Sequence, residues 1–127
     1  MKEIMAIIRM NKVAHTKKAL VDAGFNGLTA MRAVGRGKMI KSLSELEKLD
    51  AAQEEIREKF METILSGGRL VPKRLLFLTV ADEELEKAIK VIIECNSEGN
   101  RGDGKIFVLP LDDVIRIRTG ETGEEAV

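Results

Sequence analysis

The chain has one cysteine, one histidine, no tyrosine and no tryptophan among its 127 residues. Cys95 cannot close a disulfide by itself, and Cys95 with His15 is too small a ligand set for zinc. Both absences fit a reducing compartment. The lack of tyrosine excludes covalent control through a tyrosine hydroxyl. Aromatic residues are limited to Phe25, Phe60, Phe77 and Phe107. They are not paired in the motif of a sheet that stacks RNA bases, so an RNA-binding reading of the element order below is disfavoured. There is also no excess of either charge. The 21 basic and 21 acidic residues cancel, so no overall field draws the chain onto nucleic acid or anionic lipid, and any anion site must be local. The apolar run from Ile4 to Ile8 is broken by Arg9 and is too short for a signal sequence or a membrane span. A cytoplasmic protein without direct membrane insertion is expected.

A chain of this length has room for one domain, residues 1–127, that gains much if oligomerisation covers more of its surface. Ile4 to Ile8 reads as a first strand because it is short, apolar and branched. Asn11 is placed to cap a helix in which Val13, Thr16, Ala19, Leu20 and Ala23 recur at helical spacing, with Gly24 as its stop. Thr29 to Val34 reads as strand two and Arg74 to Val80, after Pro72, as strand three. Acids at Asp82, Glu83 and Glu84 open a second helix with Leu85, Ala88, Ile89, Ile92 and Ile93 on its apolar face, ending near Asn96. Ile106 to Leu109 gives strand four, and Val114 to Arg118 a further short extended piece. The order β-α-β-β-α-β implies an α+β, ferredoxin-like fold with both helices on one face of an antiparallel sheet. The other face needs a cover, which a symmetry mate can supply.

Three groups of residues carry chemistry. In Gly99-Asn100-Arg101-Gly102-Asp103-Gly104-Lys105, glycines allow backbone N–H groups to converge on an anion and Lys105 adds charge at the rim, although the same residues suit an ordinary Gly-Asp-Gly turn. In Arg116-Ile117-Arg118, a two-residue strand period would turn both guanidiniums to one face, as a polyphosphate requires or as a solvated sheet face allows. Gly35-Arg36-Gly37-Lys38 lacks both the strand-to-helix fingerprint of a dinucleotide site and a Walker loop. It reads as a hinge bringing charge near a phosphate, or as a simple hairpin exit. No nucleophile, base and orienting acid stand out, so no catalytic residues are assigned and an enzyme is not expected.

The run from Gly102 to Val108, followed by Arg116-Ile117-Arg118-Thr119-Gly120-Glu121, resembles the carboxy-terminal signature of P-II nitrogen-regulatory proteins. The opening Met1 to Arg9, the turn from Gly24 to Thr29, and Pro72-Lys73 resemble that family in the same order. The resemblance implies a ferredoxin-like homotrimer with ATP or ADP in the clefts between subunits. Carried over by position, Gly35, Gly37, Lys38, Gly102, Gly104, Lys105, Arg116 and Arg118 would hold phosphates, with Thr29 at the adenine edge and Asp103 among the nucleotide-binding residues. Arg9, Met39 and Lys73 fall at the positions for 2-oxoglutarate. Methionine stands at position 39 in place of a glutamine that helps hold Mg²⁺, and it offers no oxygen to a hard cation, whereas Lys73 keeps the lysine that would meet the ligand's carboxylate. Glu98 replaces a usual threonine and Phe77 a usual adenine-side glutamate. Without a tyrosine, the uridylylation used by many bacterial members cannot occur.

The segment 37–71 is longer than the mobile hairpin loop of ordinary members. Ser42 or Ser44 with Glu45 or Glu47 forms a capping box, and Leu46, Leu49, Ile56, Phe60 and Ile64 fall on one stripe of a helix that Gly67-Gly68 would end. That stripe can pack on its own assembly or dock a partner by helix-in-groove recognition. The enlarged loop and the Gly-Glu-Thr-Gly-Glu-Glu-Ala-Val ending resemble the nitrogenase-associated branch, specifically its second, longer-loop subunit. This implies a sister P-II subunit and a nitrogenase component as partners. Control of an ammonium transporter or another nitrogen-metabolism enzyme is the alternative, though Arg57 within a helical stretch poorly matches a channel-plugging arginine. His15, beside Lys18 and Asp22, reads as a surface residue and Cys95 as a buried structural thiol.

Overall fold

The computed structural model describes residues 1–37 and 70–127. Its sheet is built from β1 (Lys2–Ile8), β2 (Thr29–Gly35), β3 (Val71–Val80) and β4 (Lys105–Pro110) in the order β2-β3-β1-β4. All three neighbouring pairs are antiparallel. The helices α1 (Val13–Asp22) and α2 (Leu85–Asn96) make the two crossovers. This is the ferredoxin-like α+β arrangement expected from the element order.

Strand alternation decides what the helices cover. Ile4, Ala6 and Ile8 of β1 are buried with Leu76, Leu78 and Val80 of β3. Leu20 from α1 and Ala88 and Ile92 from α2 complete that core. The opposite face carries two cross-sheet rows, Thr29-Phe77-Met5-Phe107 and Met31-Leu75-Ile7-Lys105, read from directly opposed residues. None of these eight residues is buried.

The α1 stop falls where the sequence puts it. Gly24 takes a φ of +99°, its N–H reaches the Val21 carbonyl, and the Phe25 N–H reaches the Leu20 carbonyl. That hydrogen-bond pattern, with Phe25 and Leu20 both buried, is a Schellman ending. Its start differs from expectation. A 3-10 turn, Met10–Lys12, precedes the helix, and Lys12 rather than Asn11 occupies the cap position without a side-chain cap bond. The helices are tied by polar groups as well. Asn96 Nδ2 donates to Thr16 Oγ1 at 3.0 Å, and Thr16 Oγ1 donates to the Lys12 carbonyl at 2.7 Å.

Strand three begins earlier than expected and takes in Pro72. The β1 ladder stops at Arg74, so the missing Pro72 N–H removes no bond between those strands. The extended piece expected over Val114 to Arg118 is corrected to a small hairpin with one bridge, Ile115 to Thr122, and a turn at Ile117–Thr119. Asp113 Oδ1 fastens that hairpin by accepting from the N–H groups of Val114 and Gly123. Lys38, Met39, Leu46, Leu49, Ile56, Phe60 and Ile64 lie outside the described residues.

Candidate functional site

The loop between α2 and β4 is closed by a carboxylate. Asp103 accepts from the backbone N–H groups of Glu98 at 2.9 Å and Asn100 at 3.2 Å, and from Arg9 Nη1 at 2.6 Å. The Glu98 hydrogen bond first and the Arg9 guanidinium second hold its carboxyl down to about 2. Arg9 stands one residue past β1, so Asp103 fixes the loop to the end of that strand.

Three further bonds complete the closure. Arg9 Nη2 donates to the Arg101 carbonyl at 3.2 Å, and Lys73 Nζ donates to the Gly102 carbonyl at 2.8 Å. Glu98 pairs with Lys12 at 2.7 Å, which joins the loop to the start of α1. In a trans peptide the N–H points opposite to the preceding carbonyl. Turning the Arg101 carbonyl toward Arg9 therefore aims the Gly102 N–H away from that cation. The loop can thus present an outward donor, with Lys105 following at the start of β4, the chemistry of an anion cradle.

Glycine is required here on geometric grounds. Gly104 has a φ of +117°, and a Cβ there would collide with the Ile7 carbonyl oxygen. Gly102, at +92°, sits where a Cβ would come within 3.4 Å of Arg9 Nη2 and 3.6 Å of Lys73 Nζ. Loss of hydration by burial lowers the Lys73 pKa most, Arg9 lowers it further, and Asp103 opposes them.

The expected site residues separate into four places within one chain. Arg9, Lys73, Gly102, Asp103 and Gly104 are brought together, with Lys105 opposite Ile7 at the start of β4. Gly35, opposite Val71, ends β2, and Gly37 follows it. Thr29 shares the open face with Lys105 but stands on the other edge strand. Three strand spacings of about 4.8 Å separate those edges. Arg116 and Arg118 lie in the hairpin that follows the far end of β4. Arg116 Nη1 donates to Glu121 at 2.8 Å and Nη2 to the Glu125 carbonyl at 3.2 Å. Because Ile117 begins a turn and is fully exposed, the two-residue strand period does not orient the two guanidiniums.

The closing role of Arg9, Glu98 and Lys12 was not read from the sequence. Its only trace there was acid at position 98 ahead of the glycine turn. Cys95 is buried as expected, and burial raises its pKa. His15 is exposed. Among the described residues no helix is long and apolar enough to cross a membrane, and no group of three or more His, Cys, Asp or Glu could hold a metal ion.

Residues 1–121 match the family model described as nitrogen regulatory protein P-II, and the chain belongs to that family. It is 42% identical over 127 residues to the nitrogen fixation nifHD region glnB-like protein 2 of Methanococcus maripaludis, covering all of both chains. It is 43% identical over 128 residues to the nifHD1 region GlnB-like protein 2 of Methanosarcina barkeri, covering all of this chain and 99% of that one. Nitrogen regulatory protein P-II 2 of Methanothermobacter thermautotrophicus is 35% identical over 127 residues, with 97% of it covered.

Proposed function

We propose that this P-II protein regulates nitrogen fixation by binding ATP or ADP between subunits of a homotrimer and passing the bound state to a nitrogenase component through the segment 37–71. The supporting observation is the placement of Thr29 and Lys105 on one open face at opposite sheet edges. In a homotrimer a second copy beside the first would bring the β4 edge of one chain to the β2 edge of the other, so that one nucleotide could meet both at close range. Covering the apolar rows through Phe77, Met5 and Phe107 would drive that association.

In this reading the Gly102 N–H, Lys105 and the arginines at positions 116 and 118 bind phosphates, with Gly35, Gly37 and Lys38 on the opposing strand exit. Asp103 acts by shaping the loop, since its carboxylate is already engaged. A 2-oxoglutarate carboxylate at Lys73 would displace the Gly102 carbonyl from that ammonium. Metabolite and nucleotide would then act on one loop. Met39 supplies no oxygen for Mg²⁺, so metabolite binding with weak Mg²⁺ dependence is expected. The names of the two glnB-like relatives place them in a nitrogen fixation region, which favours a nitrogenase component over an ammonium transporter as target. A sister P-II subunit is a further expected partner.

The test is calorimetric titration with ATP and with ADP, each with and without Mg²⁺ and 2-oxoglutarate, alongside light scattering. Saturable binding of about one nucleotide per chain to a trimer supports the reading. Binding to a monomer, or none, rejects it.

A further inference from the structure

The end of the sheet nearest the glycine loop carries a second cationic feature, on the other face. Arg32 of β2 stands directly opposite Arg74 of β3, and Arg74 opposite Ile8 of β1. Strand alternation places Lys73 and Ala33 on the open face and the two arginines on the helix-bearing face. Like charges directly opposed across strands destabilise a sheet. Nothing described neutralises this pair. Arg74 donates to the neighbouring Lys73 carbonyl at 3.2 Å, and among the described residues neither arginine has a carboxylate within ion-pair distance. Glu98 and Asp103, described carboxylates of the nearby loop, are already held by Lys12 and Arg9.

We propose that Arg32 and Arg74 form a docking site for an acidic helix of a partner protein, separate from the nucleotide site. Side chains directly opposed on neighbouring strands start about 5 Å apart, close to the roughly 5–6 Å between residues i and i+4 of a helix. Two glutamates at that spacing can each receive one guanidinium fork, and bidentate pairing with carboxylate is what arginine does best. Arg32 is exposed on an edge strand and Arg74 is half-buried, so a helix can approach from outside. Binding replaces a repulsive pair by two attractive ones. It also places a partner at the strand ends from which the segment 37–71 departs.

The test uses the full-length protein and NMR of the arginine Nε–H groups. The probes are a helical peptide with glutamates at i and i+4, its glutamine counterpart, and inorganic pyrophosphate. The glutamate peptide is expected to shift Arg32 and Arg74, the glutamine peptide to leave them, and the double variant Arg32→Gln/Arg74→Gln to bind about a hundredfold more weakly, as loss of two charge-assisted pairs worth roughly tenfold each predicts. ATP titration of that variant should match the parent, and its thermal midpoint should not fall, since a repulsion has been removed. Equal shifts with the glutamine peptide, or unchanged affinity in the variant, overturn the proposal. Pyrophosphate shifting the pair while the glutamate peptide does not makes it a small-anion site instead, which also overturns it. Loss of ATP binding would assign the arginines to the nucleotide site and overturn the separation.

Discussion

Gly104 lies against the Ile7 carbonyl oxygen so closely that no side chain fits between them. The glycine loop therefore enters β4 over the backbone of β1, with a left-handed residue at the crossing. Gly104→Ala meets two penalties, the positive φ and the collision with a carbonyl that the β1 ladder holds in place. Destabilisation of about 2 kcal/mol or more is expected in urea unfolding, together with loss of the proposed ATP binding. A variant of parental stability would show that the loop can leave β1 at little cost.

Asp103 gives the loop a defined response to acid. Its folded-state pKa of about 2 lies below the roughly 3.9 of an unfolded aspartate. Its contribution to stability is therefore complete above the unfolded value and disappears as pH falls through about 4 toward about 2. A carboxyl ¹³C titration should place the Asp103 midpoint near the lower value. A midpoint at the ordinary aspartate value would mean that the bonds from Glu98, Asn100 and Arg9 do not persist in solution. Asp103→Asn should remove this part of the acid response.

Local chemistry explains which features were legible in the sequence. Ile4 to Ile8 and Arg74 to Val80 announce strands because branched and apolar residues are bounded by a charge or a proline. Gly24 announces the α1 stop because the left-handed residue of the ending favours glycine. Val114 to Arg118 has the same branched composition, but a strand needs a partner, and this segment finds one only in its bridge to Thr122. Asn11 is a good capping residue, yet the 3-10 turn moves the helix start beyond it. At the site, the spacing of Gly99, Gly102 and Gly104 was visible. Its clamp was not, since Arg9 and Asp103 are 94 positions apart and neither carries a local mark of the other.

The contact between Thr16 and Asn96 is a polar link inside the helix layer. Thr16 is fully buried and Asn96 is 5% exposed, so breaking the bond leaves a donor with no access to water. Thr16→Val keeps the shape and removes the hydroxyl. A loss of about 1–2 kcal/mol is expected, with Thr16→Ser losing less because it keeps the acceptor. A loss in Thr16→Ser with none in Thr16→Val would assign the effect to the methyl group and its packing.

Arg116 separates a structural role from a binding one. Its ion pair with Glu121 joins side chains that are 35% and 41% exposed, and such a pair contributes at most about 1 kcal/mol. Arg116→Ala should therefore leave the fold and the expected trimer intact, as light scattering would show. If the guanidinium binds phosphate, the same variant should weaken ATP binding by tenfold or more, roughly the value of one charge-assisted contact, and Lys105→Ala should do likewise. Glu121→Gln moves the other way. By weakening the competitor it frees the guanidinium, so ATP affinity should rise. Unchanged affinity in all three variants would reject the phosphate assignment and leave Arg116 as a fastener of its own hairpin.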